Sequence, residues 1–313
     1  APRRARARAR RPRARLRSRA GGSFGGSQTC GVTLDNLVYC WGGNFAGQLG
    51  DGTTTDRHSP TPVAGGRRFG QVSASGLHTC AVTPASVVFC WGRNEDGQLG
   101  DGTTTDRKSP VRVLAGTLQF RQVSAGSGYT CAVTLNDVAY CWGRNGNGRL
   151  GNGTYNRPAL TPSKVRGGIH FRTVTTGLSH ACGITPDDGI YCWGDWMFIG
   201  SGATADQRTP VPVSGGLHLR QVEARIQHTC GVTTGGRAFC WGLNADGQIG
   251  DGTVGTDRLR PRRVLGGFSF HRVTAGGNTC GWTTAGAGYC WGFNVGNGTD
   301  DNYLTPQPIG GAS

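Results

Sequence analysis

The chain carries twelve cysteines, and their spacing sets what thiol chemistry is open to it. They fall into six pairs ten positions apart: Cys30 and Cys40, Cys80 and Cys90, Cys131 and Cys141, Cys182 and Cys192, Cys230 and Cys240, Cys280 and Cys290. Two strands joined by a tight turn put such residues opposite each other, with Cα atoms ~4.5 Å apart at a non-hydrogen-bonded pair, inside disulfide range. The spacing therefore predicts six bridges, one per hairpin. Structural zinc sites bring cysteines in pairs two to four residues apart. The longer gap, without matching His pairs, argues against metal and leaves reduced core thiols as the other reading.

Other reactive side chains also recur. His78, His180 and His228 stand just before the first Cys of their units, where Gln28, Tyr129 and Asn278 stand in the others. That mixture argues against a required ligand set and for structural hydrogen bonding. Arg57, Arg107, Arg157, Arg208 and Arg258 follow a Gly-rich loop and are expected to cap it or to pair with an adjacent Asp such as Asp56 or Asp106. Asp51, Asp101 and Asp251 sit in Asp-Gly turns, which turn chemistry alone explains. The chain lacks the Gly-Lys-Ser/Thr and His-Glu-x-x-His patterns, and no catalytic residue, metal or cofactor is expected.

These residues repeat because the elements that carry them repeat. Each second Cys opens a Cys-Trp-Gly, and the six tryptophans from Trp41 to Trp291 are separated by 50, 51, 51, 48 and 50 residues. In the second unit, Thr79–Thr83 and Val87–Trp91 read as a strand pair around a turn at Pro84-Ala85-Ser86. Phe69, Val72 and Ala74 give a strand before it, and Val111-Arg112-Val113 one after it. Four short antiparallel strands per ~50 residues describe a β-propeller blade. An aromatic precedes each second Cys and Trp follows it, so the two share a strand face while Cys points the other way. The predicted fold is an all-β propeller of six four-stranded blades. A light-sensing or ligand-stacking role for the Trp set is the lesser reading beside core packing between blades.

The net charge of +15 belongs mainly to one segment. Ten arginines lie between Arg3 and Arg19, leaving 23 basic against 18 acidic residues elsewhere. Residues 1–22 are expected to be a disordered tail, and 23–313 the propeller. Nucleic acid is expected to bind, if at all, through that tail. No apolar run is long enough to span a bilayer. Disulfides imply an oxidising compartment, hence an extracellular or cell-surface protein, although no apolar stretch follows the basic one to make it an intact secretory signal.

The units resemble the regulator-of-chromosome-condensation repeat family. The matching text is Cys-Trp-Gly-x-Asn-x-x-Gly-Gln-Leu-Gly-Asp-Gly-Thr followed by Arg and Pro. It is clearest at Cys40–Pro60, Cys90–Pro110 and Cys240–Pro261, and weaker at Cys141–Pro158 and Cys192–Pro210. The resemblance implies a β-propeller, commonly of seven blades, that presents loops to a partner. Family roles range over nucleotide exchange on a small GTPase, ultraviolet perception in plants and β-lactamase inhibition by secreted bacterial members. No exchange residue maps onto this chain, and the plant photoreceptor's Gly-Trp-Arg-His-Thr motif is missing. The cysteine pairs suit a secreted member.

Two departures from the repeat remain. The Phe-x-x-Val strand occurs in five units, with Leu219 once in place of Phe, but not before Cys30. One strand of the ring closure therefore looks replaced or lost, and a truncated seven-bladed ring is the alternative to six. The fourth unit is two residues shorter and reads Trp196-Met197-Phe198 where others have polar loop residues. Those three are the expected contacts of a protein partner, which the sequence does not name. The chain is thus expected to be a non-enzymatic binding propeller. The rivals are an inhibitor or channel-site ligand binder and a structural surface or filament subunit.

Overall fold

A computed structural model describes residues 16–21, 28–295 and 301–309. Six four-stranded antiparallel sheets stand in a ring as a six-bladed β-propeller, and each sheet runs in sequence order from inside to outside. Blade 2 is typical: Gln71–Ser75, His78–Val82, Val88–Gly92 and Arg107–Arg112. Its hairpin turn ends on Ser86 at φ 62°, and Asn36, Asp137 and Asp188 hold the corresponding left-handed position in other blades. The outer strands carry proline, which an edge strand tolerates because one row of its N–H groups needs no partner.

The first strand of blade 1 is Leu16–Gly21, paired with Thr29–Thr33. Leu16 stands opposite Thr33 as Phe120 stands opposite Thr134, so it takes the register of the missing Phe. The strand that looked replaced or lost is replaced by the end of the arginine-rich segment. The tail boundary drawn at residue 22 from composition lies beyond this strand; residues 1–15 lie outside the described residues. Every blade is one contiguous stretch of chain, and none is shared by the two chain ends.

Packing follows from the strand alternation. At the five junctions from blade 1 to blade 6, each blade turns its Cys and its Val or Ile towards the next, which answers with Phe or Leu, Val and Trp. Between blades 1 and 2, Val32, Cys30 and Cys40 meet Phe69, Val72 and Trp91. Phe69 lies 6.0 Å from both Phe89 and Trp91, centroid to centroid. Trp91, Trp142, Trp193, Trp241 and Trp291 are fully enclosed, which makes them core rather than a ligand platform. The Trp91 indole N–H donates to the Gln48 carbonyl at 3.0 Å, and Trp142, Trp193 and Trp241 repeat the bond one blade on. Glycine is required beside them. At Gly100, with φ at +69°, a Cβ would lie 2.6 Å from the Trp142 indole nitrogen, and Gly50, Gly200 and Gly250 are placed alike.

Each of the six cysteine pairs lies opposite itself across its hairpin, with Cα atoms 4.0–4.1 Å apart and sulfurs at bonding distance. A bridge closing so short a loop contributes about 2–3 kcal/mol.

Candidate partner-binding face

The loop between third and fourth strands forms one end of the ring, and in most blades it is a polar cage. In blade 2 the Asn94 side chain accepts from Leu99 N at 2.9 Å and donates to Thr103 O at 3.0 Å, while Asp106 accepts from Asn94 N. Asp101 holds Thr103 and the Arg107 guanidinium. Asn44, Asp51 and Arg57 repeat this in blade 1, and Asn244, Asp251 and Arg258 in blade 5. The Arg partner is therefore the Asp of the Asp-Gly turn, not Asp56 or Asp106, which instead bind the Asn backbone. Burial alone would raise the Asp51, Asp101 and Asp251 carboxyls, but bonds from Thr and Arg outweigh it and hold them below the ordinary range.

Blades 3 and 4 lose parts of this cage. In blade 3, Asn152 replaces the turn Asp; it still binds Thr154 but has no charge for Arg157, which stays exposed. In blade 4, Ser201 stands at the Asp position and Trp196 at the Asn position. Asp206 still accepts from the Trp196 backbone N–H, at 3.3 Å. It also reaches into blade 3, accepting from Asn147 at 2.9 Å and from the Tyr155 hydroxyl at 3.1 Å. Arg208, freed from a carboxylate, is exposed with its guanidinium 5.6 Å from the Tyr155 ring centre.

Of the three contacts expected from sequence, Trp196 and Met197 are half-buried on this end face. Phe198 is a correction. It is 4 % exposed, its ring lies 5.5 Å from His180, and its carbonyl accepts the Trp241 indole N–H. The two-residue deletion brings Phe198 to the place Gln48 holds in blade 1, so it packs between blades instead of meeting solvent.

Sequence reading missed the buried charge beside these residues. Arg149 replaces a loop Gln and is only 6 % exposed. It donates to the carbonyls of Gly146 at 2.8 Å, Leu178 at 2.8 Å and Ser127 at 3.4 Å, and sits 5.6 Å from the Tyr129 ring centre. Burial lowers its pKa below the ordinary guanidinium range. Asp96 and Asp195, half-buried nearby, have carboxyls raised above the ordinary range by desolvation. The one signal in the sequence was Gly-Arg-Leu-Gly in place of Gly-Gln-Leu-Gly.

The histidines are staples, as their mixed replacement implied. His78 Nε2 is 2.8 Å from Thr130 Oγ1, His180 is 2.7 Å from Thr229 and His228 is 2.8 Å from Thr279, always one blade on. The axial channel is a polar cavity of about 230 Å³ lined by the first strands. Much of that polarity is engaged between blades: Gln71 clamps Val123, with N–H to O at 2.7 Å and O to N–H at 2.9 Å, and Gln122 and Gln221 act alike. Among the described residues no group of three His, Cys, Asp or Glu side chains could hold a metal, and no helix is long and apolar enough to cross a membrane.

Comparison with known proteins matches residues 6–312 to the RCC1-like domain. The ultraviolet-B receptor UVR8 of Arabidopsis thaliana is 32 % identical over 191 residues, covering 59 % of this chain and 43 % of the receptor. The chain thus spans less than half of that relative's length. Among solved structures, human WBSCR16 superposes with a TM-score of 0.84 at 22 % identity, over 96 % of this chain and 83 % of that one. Yeast RCC1 (Prp20), solved bound to Kap60, gives 0.81 at 20 % identity, over 94 % and 75 %. At such identities the structures show the fold alone.

Proposed function

Since the chain belongs to the RCC1-like domain family, we propose that it is a non-enzymatic propeller that binds a partner protein through the end face of blades 3 and 4. One observation carries this reading. The polar cage that closes the loops of blades 1, 2 and 5 loses its Asp–Arg pair in blades 3 and 4 and its Asn in blade 4, and aromatic, Met and Arg side chains come to the surface there together. Trp196, Met197, Tyr155 and Arg208 have the composition of an interface hot spot, with Trp, Tyr and Arg enriched. A relative of the same fold, yeast RCC1 (Prp20), is held in a protein complex with Kap60. The six cysteine pairs support a place in an oxidising, extracellular compartment.

The test is affinity capture with the full chain against a Trp196→Ser, Tyr155→Ser variant whose thermal unfolding matches wild type. Loss of a captured protein, with binding weakened at least tenfold when that protein is purified, supports the proposal. Equal capture by both removes this face from consideration. Salt titration of nucleic-acid binding decides the rival that rests on the arginine-rich segment.

A further inference from the structure

Five of the six junctions between blades are made alike, and the junction from blade 6 to blade 1 is not. Each of the five holds an apolar cluster drawn from both blades, and among the described residues none joins blade 6 to blade 1. Val32, Val82, Val133, Ile184 and Val232 are 0–4 % exposed at their junctions, but Trp282, at the same place in blade 6, is 45 % exposed. On the other side Trp41 and Thr29 are half-buried, where Trp91 and Thr79 are fully enclosed. Asn278, at the staple position of His78, turns back on its own blade and donates to the carbonyls of Phe293 at 3.4 Å and Asn294 at 3.2 Å.

The polar clamps differ at this seam too. Arg272 pairs with Trp282 as Gln71 pairs with Val82, so Arg holds the register of the clamping Gln. In blade 1 the register of the clamped Val123 belongs to Arg19, opposite Gly31 as Val123 is opposite Ala132. A Gln side chain both donates to and accepts from a neighbouring backbone, whereas guanidinium only donates. Arg272 therefore cannot accept a backbone N–H of blade 1 as Gln71 accepts that of Val123, and its charge favours an anion beside it. Thr274 stands where Ser73 accepts the Ala125 N–H at 3.0 Å and Thr175 accepts the Ala224 N–H at 3.1 Å. Its hydroxyl donates to Cys280 O at 3.4 Å and keeps its acceptor capacity. Beside these residues lies a cavity of about 800 Å³ lined by Trp282, Arg272, His271 and Thr274, among others, with no carboxylate among the described residues of its lining. Arg272 forms no ion pair among the described residues; the nearby axial Glu223 is paired with Arg225 at 3.1 Å.

We propose that this seam is a second binding site, which takes an extended acidic segment of a partner protein. The segment lies along the inner strand of blade 6 (Phe270–Ala275). A backbone N–H meets the Thr274 hydroxyl, a carboxylate meets Arg272, and an apolar side chain covers the Trp282 indole. This is β-strand recognition with side-chain clamps in place of a ladder, the chemistry the ring uses on itself at the four junctions from blade 2 to blade 6.

The experiment is fluorescence anisotropy of a labelled twelve-residue peptide alternating Glu with Leu, titrated with the full chain. A polyglutamate peptide of the same charge and a Lys-Leu peptide serve as controls. The arginine-rich segment is common to every variant, so the differences read the seam. Arg272→Glu and Trp282→Ser, both at exposed positions and checked for unchanged thermal unfolding, should each weaken the Glu-Leu peptide at least tenfold. Arg272→Lys should retain most of the affinity. Polyglutamate should bind more weakly than Glu-Leu and respond little to Trp282→Ser. Equal affinity of the variants, or of the Lys-Leu peptide, overturns the proposal. So does a dimer of the free chain in sedimentation that Trp282→Ser dissolves, because the seam would then belong to a second copy.

Discussion

Three imidazoles show how single side chains stitch this ring. His78, His180 and His228 are enclosed, and burial lowers their pKa from 6.5 to about 3, about 3 and about 4. Each remains neutral in the folded state well below the pH at which an exposed His charges. Between pH 6.5 and about 4 the unfolded chain therefore binds more protons than the folded one, and stability falls as pH falls. The three together can give a slope of up to about 4 kcal/mol per pH unit. Asp96 and Asp195, raised by burial, act in the opposite sense, since their protonation in acid favours the folded state. Urea midpoints measured from pH 7 to 4.5 should fall steadily. His78→Asn, which copies Asn278, should lower stability at pH 7 but flatten the slope by about one His contribution. An unchanged slope would mean that His78 is not held neutral. The sequence showed these residues as interchangeable with Tyr, Gln and Asn, and so as bonding groups. Their Thr partners one blade on were not readable, because that pairing depends on how two hairpins meet.

At the scale of the element, the stapled hairpin was the most legible feature. A ten-residue spacing, an aromatic and Trp flanking the second Cys, and a turn between them state a strand pair and its facing sides. The sulfurs of Cys80 and Cys90 are enclosed against Phe120 and Trp142, so the bridge both closes a loop and fills a junction. Cys80→Ser with Cys90→Ser should cost about 2–3 kcal/mol in loop entropy, and more from polar groups placed in an apolar contact. Cys80→Ala with Cys90→Ala separates the two effects, and chemical denaturation of both variants measures them. If the Ala pair is as stable as wild type, the bridge contributes nothing at this hairpin. The less legible element was the blade 4 loop. Trp196, Met197 and Phe198 look alike in sequence, yet a two-residue deletion shifts the chain so that Phe198 carries the carbonyl that Trp241 needs. The inner strand of blade 1 was hidden for another reason. Leu16–Gly21 has no apolar alternation, and its strand form comes from pairing with Thr29–Thr33, not from its own composition.

For the whole molecule the decisive feature is that six similar units make five junctions with an apolar cluster, and among the described residues none at the sixth. The sequence carried a trace of this: the Phe-x-x-Val pattern fails before Cys30, and Val gives way to Trp282 in the last hairpin. What it could not show is that both departures, with Arg19 and Arg272, fall on the same junction, because closure of a ring brings together residues some 250 positions apart. A repeat array is stabilised by its neighbour interfaces, so blades 1 and 6 each lack one full interface and should be the first to open. Amide exchange in Thr29–Thr33 and Thr279–Thr283 is therefore expected to be faster than in the matching strands of blades 3 to 5. The converse is engineerable. Arg19→Val, Arg272→Gln and Trp282→Val together copy the residues that hold these registers at the closed junctions, and give blade 6 a clamping amide in place of a guanidinium. Burying one Val side chain contributes about 1.5–3 kcal/mol, so the triple variant should unfold several degrees higher than wild type and exchange more slowly in blades 1 and 6. The Glu-Leu peptide should lose its site in the same variant. Higher stability with peptide binding unchanged would place the peptide elsewhere. Unchanged stability and exchange would show that the junction is already made in solution, and the open seam would have to be given up.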